Sequence, residues 1–482
     1  MHTAQPSKNH IKHLIQTGHI RDAESLCLEA REAAPKDFDY RYFLGVIFLL
    51  QGKNEQAKES LEHAVTLNSA HSASRSDLGE AYMRLELWDK AEEAIEKAIG
   101  LDAGNAAAYL NLSRVYFKRR DYDKAEICLR KSAQLQPSSP LVFDNLGVCY
   151  REKGQLELAL EAHMKAFELN AKLPSVYVNL AKIYLLLHEA GSCVNVIMAG
   201  VKSGCLDAFS ALELYVHGLI VMWLQARVDS TLNILEACKQ LRMKEGSYYN
   251  LPNLRAYVQY VEKLVSFRAD NPARYADSSE SSYPSIYFIG ESHSLTPANL
   301  LLTYSGARHR VISTTIIGCK AFHLASQKSN KYKSSLARKL AQLPASSVVM
   351  IGVGEIDCRV DGGLLALHLS GKEDYPSSIG RIVAHYVEYV AGIAKSYQHQ
   401  ILFYGVPAPS EEALQGVDET KRAQLIDIVR VFNETLRKCS AAHQCGLIDV
   451  YPVTNNQDGA SDGSMNIDRA HLYPSVFEAL FG

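Results

Sequence analysis

A spacing of 34 residues runs through the first two fifths of this chain. Leu44-Gly45, Leu78-Gly79, Leu112-Ser113, Leu146-Gly147 and Leu180-Ala181 each lie 34 residues after the last. Ala23, Ala57, Ala91, Ala125 and Ala159 keep the same interval, as do Tyr82, Tyr116, Tyr150 and Tyr184. Three columns in phase require a repeated supersecondary unit, stacked so that each unit buries the apolar face of its neighbour. The small residues let two helices approach closely, and the Leu and Tyr columns fill the space between them. Pro35 and Pro137 fall where a second helix of the unit would end, because proline cannot continue one.

A helix-turn-helix unit of this length and these residue types resembles the tetratricopeptide repeat. The resemblance implies an α-solenoid, a superhelix of paired helices. Its units are expected at 4–37, 38–71, 72–105, 106–139, 140–173 and 174–207. A seventh unit, displaced by a few residues, fits around His217-Gly218, Ser230, Ile234 and Ala237. Tyr248 to Phe267 reads as a closing helix, since a solenoid needs an atypical end to keep its last apolar face dry. The helical region is thus expected over 4–267, with a degenerate C-terminal cap. Asp77, Asn111, Asn145 and Asn179 precede the Leu column in successive repeats. Side-chain amides both donate and accept, so a column of them can hold an extended backbone. It resembles the asparagine ladder of O-linked N-acetylglucosamine transferase, which implies a protein or peptide partner in the groove. The competing reading is that these residues help helix packing or face water.

Residues 268–284 are polar and rich in breakers, and read as a linker. From 285 to 482, short apolar runs alternate with longer amphipathic ones. Strands are expected at Ile286–Ile289, Arg310–Ile317, Ser347–Val353, Gln400–Tyr404 and Gly446–Val450. Helices are expected at Pro297–Tyr304, Lys331–Leu343, Ser377–Tyr397, Glu419–His443 and Pro474–Phe481. The alternation implies an α/β domain with a parallel sheet covered on both faces. A length of 482 residues with 47% hydrophobic and 22% charged residues is ordinary for a globular protein of about three domains' worth of chain. A formal net charge of -2 gives no electrostatic case for nucleic acid. The first ten residues lack the apolar core of a secretory signal, and the most apolar stretch, Leu214 to Leu224, is too short to span a bilayer. Ten scattered cysteines without a C-x-x-C pair point to reduced thiols and a cytoplasmic setting, not to zinc.

The run Ile286 to Ile289 stops at Gly290, and Ser292 follows two residues later. In open α/β sheets ligands bind beyond the carboxyl ends of the strands, so this hydroxyl lies where a nucleophile is useful. Asp468 and His471 form D-R-A-H after the last strand. A carboxylate three residues before a histidine can fold back across a turn, fix the imidazole tautomer and stabilise the imidazolium. Gly290-Glu291-Ser292, Gly318, Gly354-Glu355-Ile356-Asp357 and Asp468-Arg469-Ala470-His471 resemble, in order, the four blocks of the SGNH (GDSL-like) hydrolase family.

That resemblance implies a flavodoxin-like three-layer sheet and serine-dependent acyl transfer. Ser292 would be the nucleophile, His471 the general base and Asp468 its orienting group, with the Ser292 and Gly318 N–H groups receiving the oxyanion. The family's third oxyanion donor is an asparagine, and this chain has Ile356 there. Losing one such donor costs about 100- to 1,000-fold in rate. Either another donor replaces it, with His293, Lys320 and Arg359 the nearby candidates, or the activity is low, or the chemistry differs. G-E-I-D-C-R, from Gly354 to Arg359, groups Glu355, Asp357 and Arg359 on one side if the chain stays extended. Either Arg359 is salt-bridged to a carboxylate and braces the loop, or it binds an anionic or sugar substrate; Cys358 reads as a packed thiol. The S-H-S form around His293 resembles SGNH domains acting on carbohydrate O-acetyl groups, which makes His293 a substrate contact. Three functions follow. One is an esterase or O-acyltransferase acting on a carbohydrate or glycoconjugate and guided by its repeats, with no cofactor and no metal. Another is a non-catalytic interaction protein whose α/β domain only binds a ligand. The third is a glycan-modifying or transferase accessory in which the Gly354 to Arg359 cluster binds a sugar.

Overall fold

The computed structural model describes residues 7–244, 252–276, 283–359 and 363–481. The chain forms two compact units, one of residues 1–150 with 161–171 and the other of 151–160 with 172–482.

The first unit is built of antiparallel helix pairs. Lys8–Gln16 pairs with Ile20–Ala33, Phe38–Leu50 with Asn54–Leu67, Ser72–Arg84 with Trp88–Leu101, and Ala106–Lys118 with Tyr122–Leu135. Side chains cap several of these helices: Asp37, Asn105 and Asp121 accept from Asp39, Ala108 and Lys124 N–H groups. The glycines of the small column are forced by proximity. A Cβ on Gly45 would lie 2.4 Å from Leu61, and one on Gly79 2.3 Å from Ile95. A further column was not read from the sequence. Gly18, Gly52, Glu86, Arg120, Gly154 and His188, again 34 apart, all have left-handed backbone at the turn between paired helices. Ala226 takes that conformation in the seventh pair, four residues late, because its first helix, Ala208–Leu224, has 17 residues where those of the five pairs before it have 13.

In the second unit, Pro174–Leu186 pairs with Ala190–Ser203 and Ala208–Leu224 with Val228–Lys244, and Pro252–Asp270 follows. A helix thus occupies most of the segment expected to close the array; residues 248–251 of that segment lie outside the described residues, as do 277–282 of the expected linker.

Six strands make one sheet: β1 (Ser285–Gly290), β2 (Leu301–Tyr304), β3 (Ala307–Thr315), β4 (Val348–Gly352), β5 (Gln400–Tyr404) and β6 (Gly446–Ile448), in the order β2-β3-β1-β4-β5-β6. All five expected strands occur. The sheet is mixed, however, not wholly parallel, because β2 runs antiparallel to β3. The segment expected as a helix over Pro297–Tyr304 holds this strand instead. Ser305-Gly306 explains it: both residues have positive φ, which is the two-residue hairpin turn that matches strand twist.

Alternation along the strands divides the core in two. On one face Ile289, Val349, Ile351, Ile401 and Phe403 pack with the helices Lys331–Gln342, Tyr375–Ser396 and Glu419–Ala442. On the other, Ile286, Phe288, Met350, Leu402 and Tyr404 share a core with Val216, Trp223, Tyr260 and Leu264. The last helices of the helical region thus form part of the covering layer of the sheet. Trp223 is 1% exposed, and its Nε1–H donates to the Leu295 carbonyl at 2.8 Å.

Candidate active site

β1 and β4 end side by side at Gly290 and Gly352. A Cβ on Gly290 would stand 2.5 Å from the Gly352 carbonyl oxygen, so only glycine lets the strands leave the sheet this close. A single 3-10 turn, Ser292–Leu295, follows at once and holds Ser292 at the carboxyl end of β1. Ser294 anchors that turn, its Oγ donating to Glu291 O at 2.8 Å and bonding Thr315 Oγ1 at 2.7 Å.

Ser292 and His471, 179 residues apart, meet there: Ser292 Oγ lies 2.8 Å from His471 Nε2. On the far side of the ring, Nδ1 is 2.9 and 3.0 Å from the Asp468 carboxylate oxygens. Asp468 is itself fixed by accepting from the Ala470 and His471 N–H groups at 2.9 and 2.8 Å. Its carboxyl group is held well below the usual range; burial opposes this, but the hydrogen bonds from His471 and Ala470 outweigh it. An ionised Asp468 accepts the Nδ1 proton, which leaves Nε2 free to take a proton from Ser292.

Glu291 is the hub that the sequence reading treated only as a variant of its motif. Its Oε2 accepts from both the Ser292 N–H and the Ser292 hydroxyl, each at 2.5 Å. Its Oε1 bonds His293 Nδ1, and His293 Nε2–H donates to the Ala470 carbonyl at 2.9 Å. The pair is buried, with Glu291 and His293 exposing 1% and 5% of their surfaces. Burial works against charge on both, yet their mutual attraction wins, raising His293 to about 9 and holding Glu291 well below the usual carboxylate range. His293 is then an imidazolium that neutralises Glu291 and ties the Ser292 turn to the loop before His471. Glu291, His293 and Glu355 lie close enough to surround a cation, but both His293 nitrogens are already bonded.

A pH dependence follows. The folded value of His293 lies above its ordinary 6.5, so its contribution is complete below about 6.5 and is lost as pH rises through about 9. The thermal midpoint should fall across that window, and His293→Phe should flatten the fall. An equally steep fall in the variant would assign it to other groups.

Two side chains not foreseen come from the helix Pro252–Asp270. The Tyr260 ring stacks on His471 with centroids 3.9 Å apart and 15° between planes, and its hydroxyl bonds Thr296 Oγ1 at 2.5 Å. The Tyr257 hydroxyl lies near the Ser292 side chain. The available signal was their spacing: three residues apart on a helix, they share one face.

Gly318 sits after β3 with φ +72°, and Lys320 precedes the short helix Ala321–Ala325. Asp357 accepts from the Ala321 and Phe322 N–H groups at 2.8 and 3.2 Å, bracing that segment; burial raises its pKa to about 6 despite those bonds. Glu355, Asp357 and Arg359 do not lie on one side. The chain leaves its extended path at a 3-10 turn, Ile356–Cys358, which points Asp357 toward Ala321 and sets Glu355 and Arg359 four residues apart as a pair. Arg359 Nε is 2.8 Å from both Glu355 oxygens. Glu355, Arg359, Val406, Pro407, Arg469 and Ala470 border a cleft of about 270 Å³ next to the loop that carries His471. Cys358 is buried, as expected of a packed thiol.

The ladder residues make separate internal bonds. Asp77 accepts from the Tyr42 hydroxyl at 2.9 Å. Asn111 Nδ2 donates toward Ser76, Asn145 Nδ2 donates to Leu141 O at 2.8 Å, and Asn179 Oδ1 accepts from Arg151 at 3.2 Å. Among the described residues no helix is long and apolar enough to cross a membrane.

Residues 9–72, 76–140 and 142–173 match the tetratricopeptide repeat family, so residues 9–173 carry such repeats. No curated protein matches the chain. Among solved structures, PilF of Pseudomonas aeruginosa is 22% identical, with a TM-score of 0.38 over 45% of this chain and 96% of that one. PilW, described as a widely conserved type IV pilus biogenesis factor, is 20% identical, with a TM-score of 0.38 over 41% of this chain and 91% of that one. The Cut9–Hcn1 hetero-tetramer of the APC/C is 17% identical, with a TM-score of 0.44 over 53% of this chain and 49% of that one.

Proposed function

We propose that the protein is a serine-dependent esterase or O-acyltransferase whose repeats recruit a protein or peptide partner, acting on an ester borne by a carbohydrate or glycoconjugate. One observation carries the enzymatic part: a buried serine hydroxyl 2.8 Å from an imidazole whose other nitrogen is 2.9 Å from a carboxylate. The five parallel strands, taken alone, follow the order 2-1-3-4-5 of flavodoxin-like sheets, and the site lies at the carboxyl end of β1, where the strand order reverses. Both features support the SGNH-like reading.

In this mechanism Ser292 Oγ attacks the ester carbonyl carbon while its proton passes to His471 Nε2. The C–O bond breaks, and the departing alcohol takes that proton. Water, or the hydroxyl of an acceptor, then attacks the acyl-serine with His471 again as base. The His293 imidazolium keeps Glu291 from opposing the negative charge that develops beside it. The Gly318 N–H is a candidate oxyanion donor; the Ser292 N–H must first leave Glu291.

A fluorophosphonate probe tests the reading, since it reports an activated serine without requiring the natural substrate. It should label Ser292, and Ser292→Ala should remove the label with the melting profile intact. Absence of labelling in the wild-type protein would favour a second reading, a ligand-binding interaction protein. That reading draws support from Ile356 in the donor position and from the Glu291 carboxylate on the Ser292 N–H.

The recruiting role has its own test. Replacing Asn111, Asn145 and Asn179 together by alanine should weaken capture of the partner at least about tenfold, at roughly one kcal/mol per amide bond, and leave probe labelling unchanged. Unchanged capture would make the column structural.

A further inference from the structure

A second cavity, of about 290 Å³, is bordered by the end of β3 at Thr315 to Ile317 and by Tyr257. This is at the small end of the range for small-molecule sites, about 300–1,000 Å³. Arg151, Lys182, Glu213, His217, Tyr257 and Lys331 supply its polar wall. Leu185, Leu186, Ile316 and Ile317 supply an apolar one. Tyr257 lines the cavity and lies near the nucleophile Ser292. Thr315, also on the wall, bonds the Ser294 hydroxyl of the same turn.

The charges there do not balance. Lys182 is paired with Glu213 at 2.7 Å. Arg151 and Lys331 share one carboxylate, that of Glu152, at 3.2 and 2.8 Å. Three cations thus face two anions. An excess positive charge away from bulk water is costly until an anion joins it. His217 is 6% exposed, and its buried Nδ1 has no hydrogen-bond partner. His217 also lines the cavity, through ring atoms other than this closed-off nitrogen. Burial and the nearby Lys182 and Arg151 lower its pKa to about 3, so at neutral pH the ring is uncharged and presents one N–H.

We propose that this cavity binds the anionic group, carboxylate or phosphate, of a small acyl-bearing substrate through Arg151, Lys182, Lys331 and His217. The apolar wall takes the body of the ligand, and Tyr257 marks the side on which its ester meets Ser292. That the anion belongs to a substrate rests on the serine-esterase reading; the affinity of the cavity for anions does not.

Equilibrium titration of the full chain with 4-hydroxybenzoate, phenyl phosphate and uncharged benzyl alcohol tests the proposal without any turnover. Saturable binding of at least one of the two anions, with none of benzyl alcohol, is expected, and the stronger anion identifies carboxylate or phosphate. Lys182→Met and His217→Leu should each weaken binding about tenfold or more. Glu213→Gln should strengthen it, a change of sign that a damaged fold cannot produce. No saturable anion binding by the wild-type protein, or weaker binding by Glu213→Gln, overturns the proposal. Anion binding without fluorophosphonate labelling of Ser292 supports the cavity assignment and removes the esterase reading alone.

Discussion

His471→Ala should lower kcat/KM for a simple acetyl ester on the order of 10⁴-fold or more, with the protein still folded. The expectation follows from the pairing at 2.8 Å between Nε2 and the Ser292 hydroxyl, which has no other neutral base beside it. Glu291 Oε2 lies 2.5 Å from that hydroxyl and competes with Nε2 for its single proton, but the imidazolium of His293 stabilises the charged form of Glu291 and makes it a poor base. Removing the base of a serine triad costs about as much as removing the nucleophile, because the two act as a unit. Combining His471→Ala with Ser292→Ala should therefore add almost nothing to either alone. Measured rates for the two single variants and the double variant would decide it. A loss below about tenfold in His471→Ala would show that the serine, if it reacts, is activated by something else.

The second large effect concerns folding. The face of the sheet carrying Ile286, Phe288, Met350 and Leu402 is buried with Trp223, Tyr260 and Leu264, which lie before residue 271. A fragment of residues 285–482 would leave that face in water, an apolar patch of the kind that drives aggregation. Such a fragment should be insoluble or molten, while one of residues 172–482 should melt cooperatively. Trp223→Ala probes the same junction in the full chain. It removes a fully buried indole and its hydrogen bond to Leu295, at a cost of about 3–5 kcal/mol. Trp223→Phe keeps most of the volume and should cost less than half as much. Equal costs in denaturant titrations, or a well-folded 285–482 fragment, would mean that the sheet does not depend on these helices.

The helical region was legible because repetition multiplies a weak signal. One Leu followed by a small residue means little, but five such pairs in phase fix the helix pairs and even the places of their turns. The left-handed column at Glu86, Arg120 and His188 escaped notice because those residues share no chemistry; only the backbone repeats. In the α/β region the five buried strands were readable from apolar runs that end at glycine or a polar residue. β2 was not, since Leu301 to Tyr304 is as compatible with a helix as with a strand, and the decisive hint was the Ser305-Gly306 turn. The residues gathered at the site were named from their order along the chain. Tyr257 and Tyr260 were not, because nothing local distinguishes a tyrosine packed between helices from one stacked on an imidazole. Arg359 and Asp357 show the reverse limit, as strand alternation placed them together and a single 3-10 turn parted them.

Tyr257 and Tyr260 sit less than one turn apart on the same helix, one against the serine and one against the histidine. A helix advances about 100° per residue. An insertion or deletion of a single residue just upstream, between Pro252 and Tyr257, would swing both rings away together. Length drift in that short stretch would therefore part both rings from the Ser292–His471 pair while Ser292, His471 and Asp468 keep their identity.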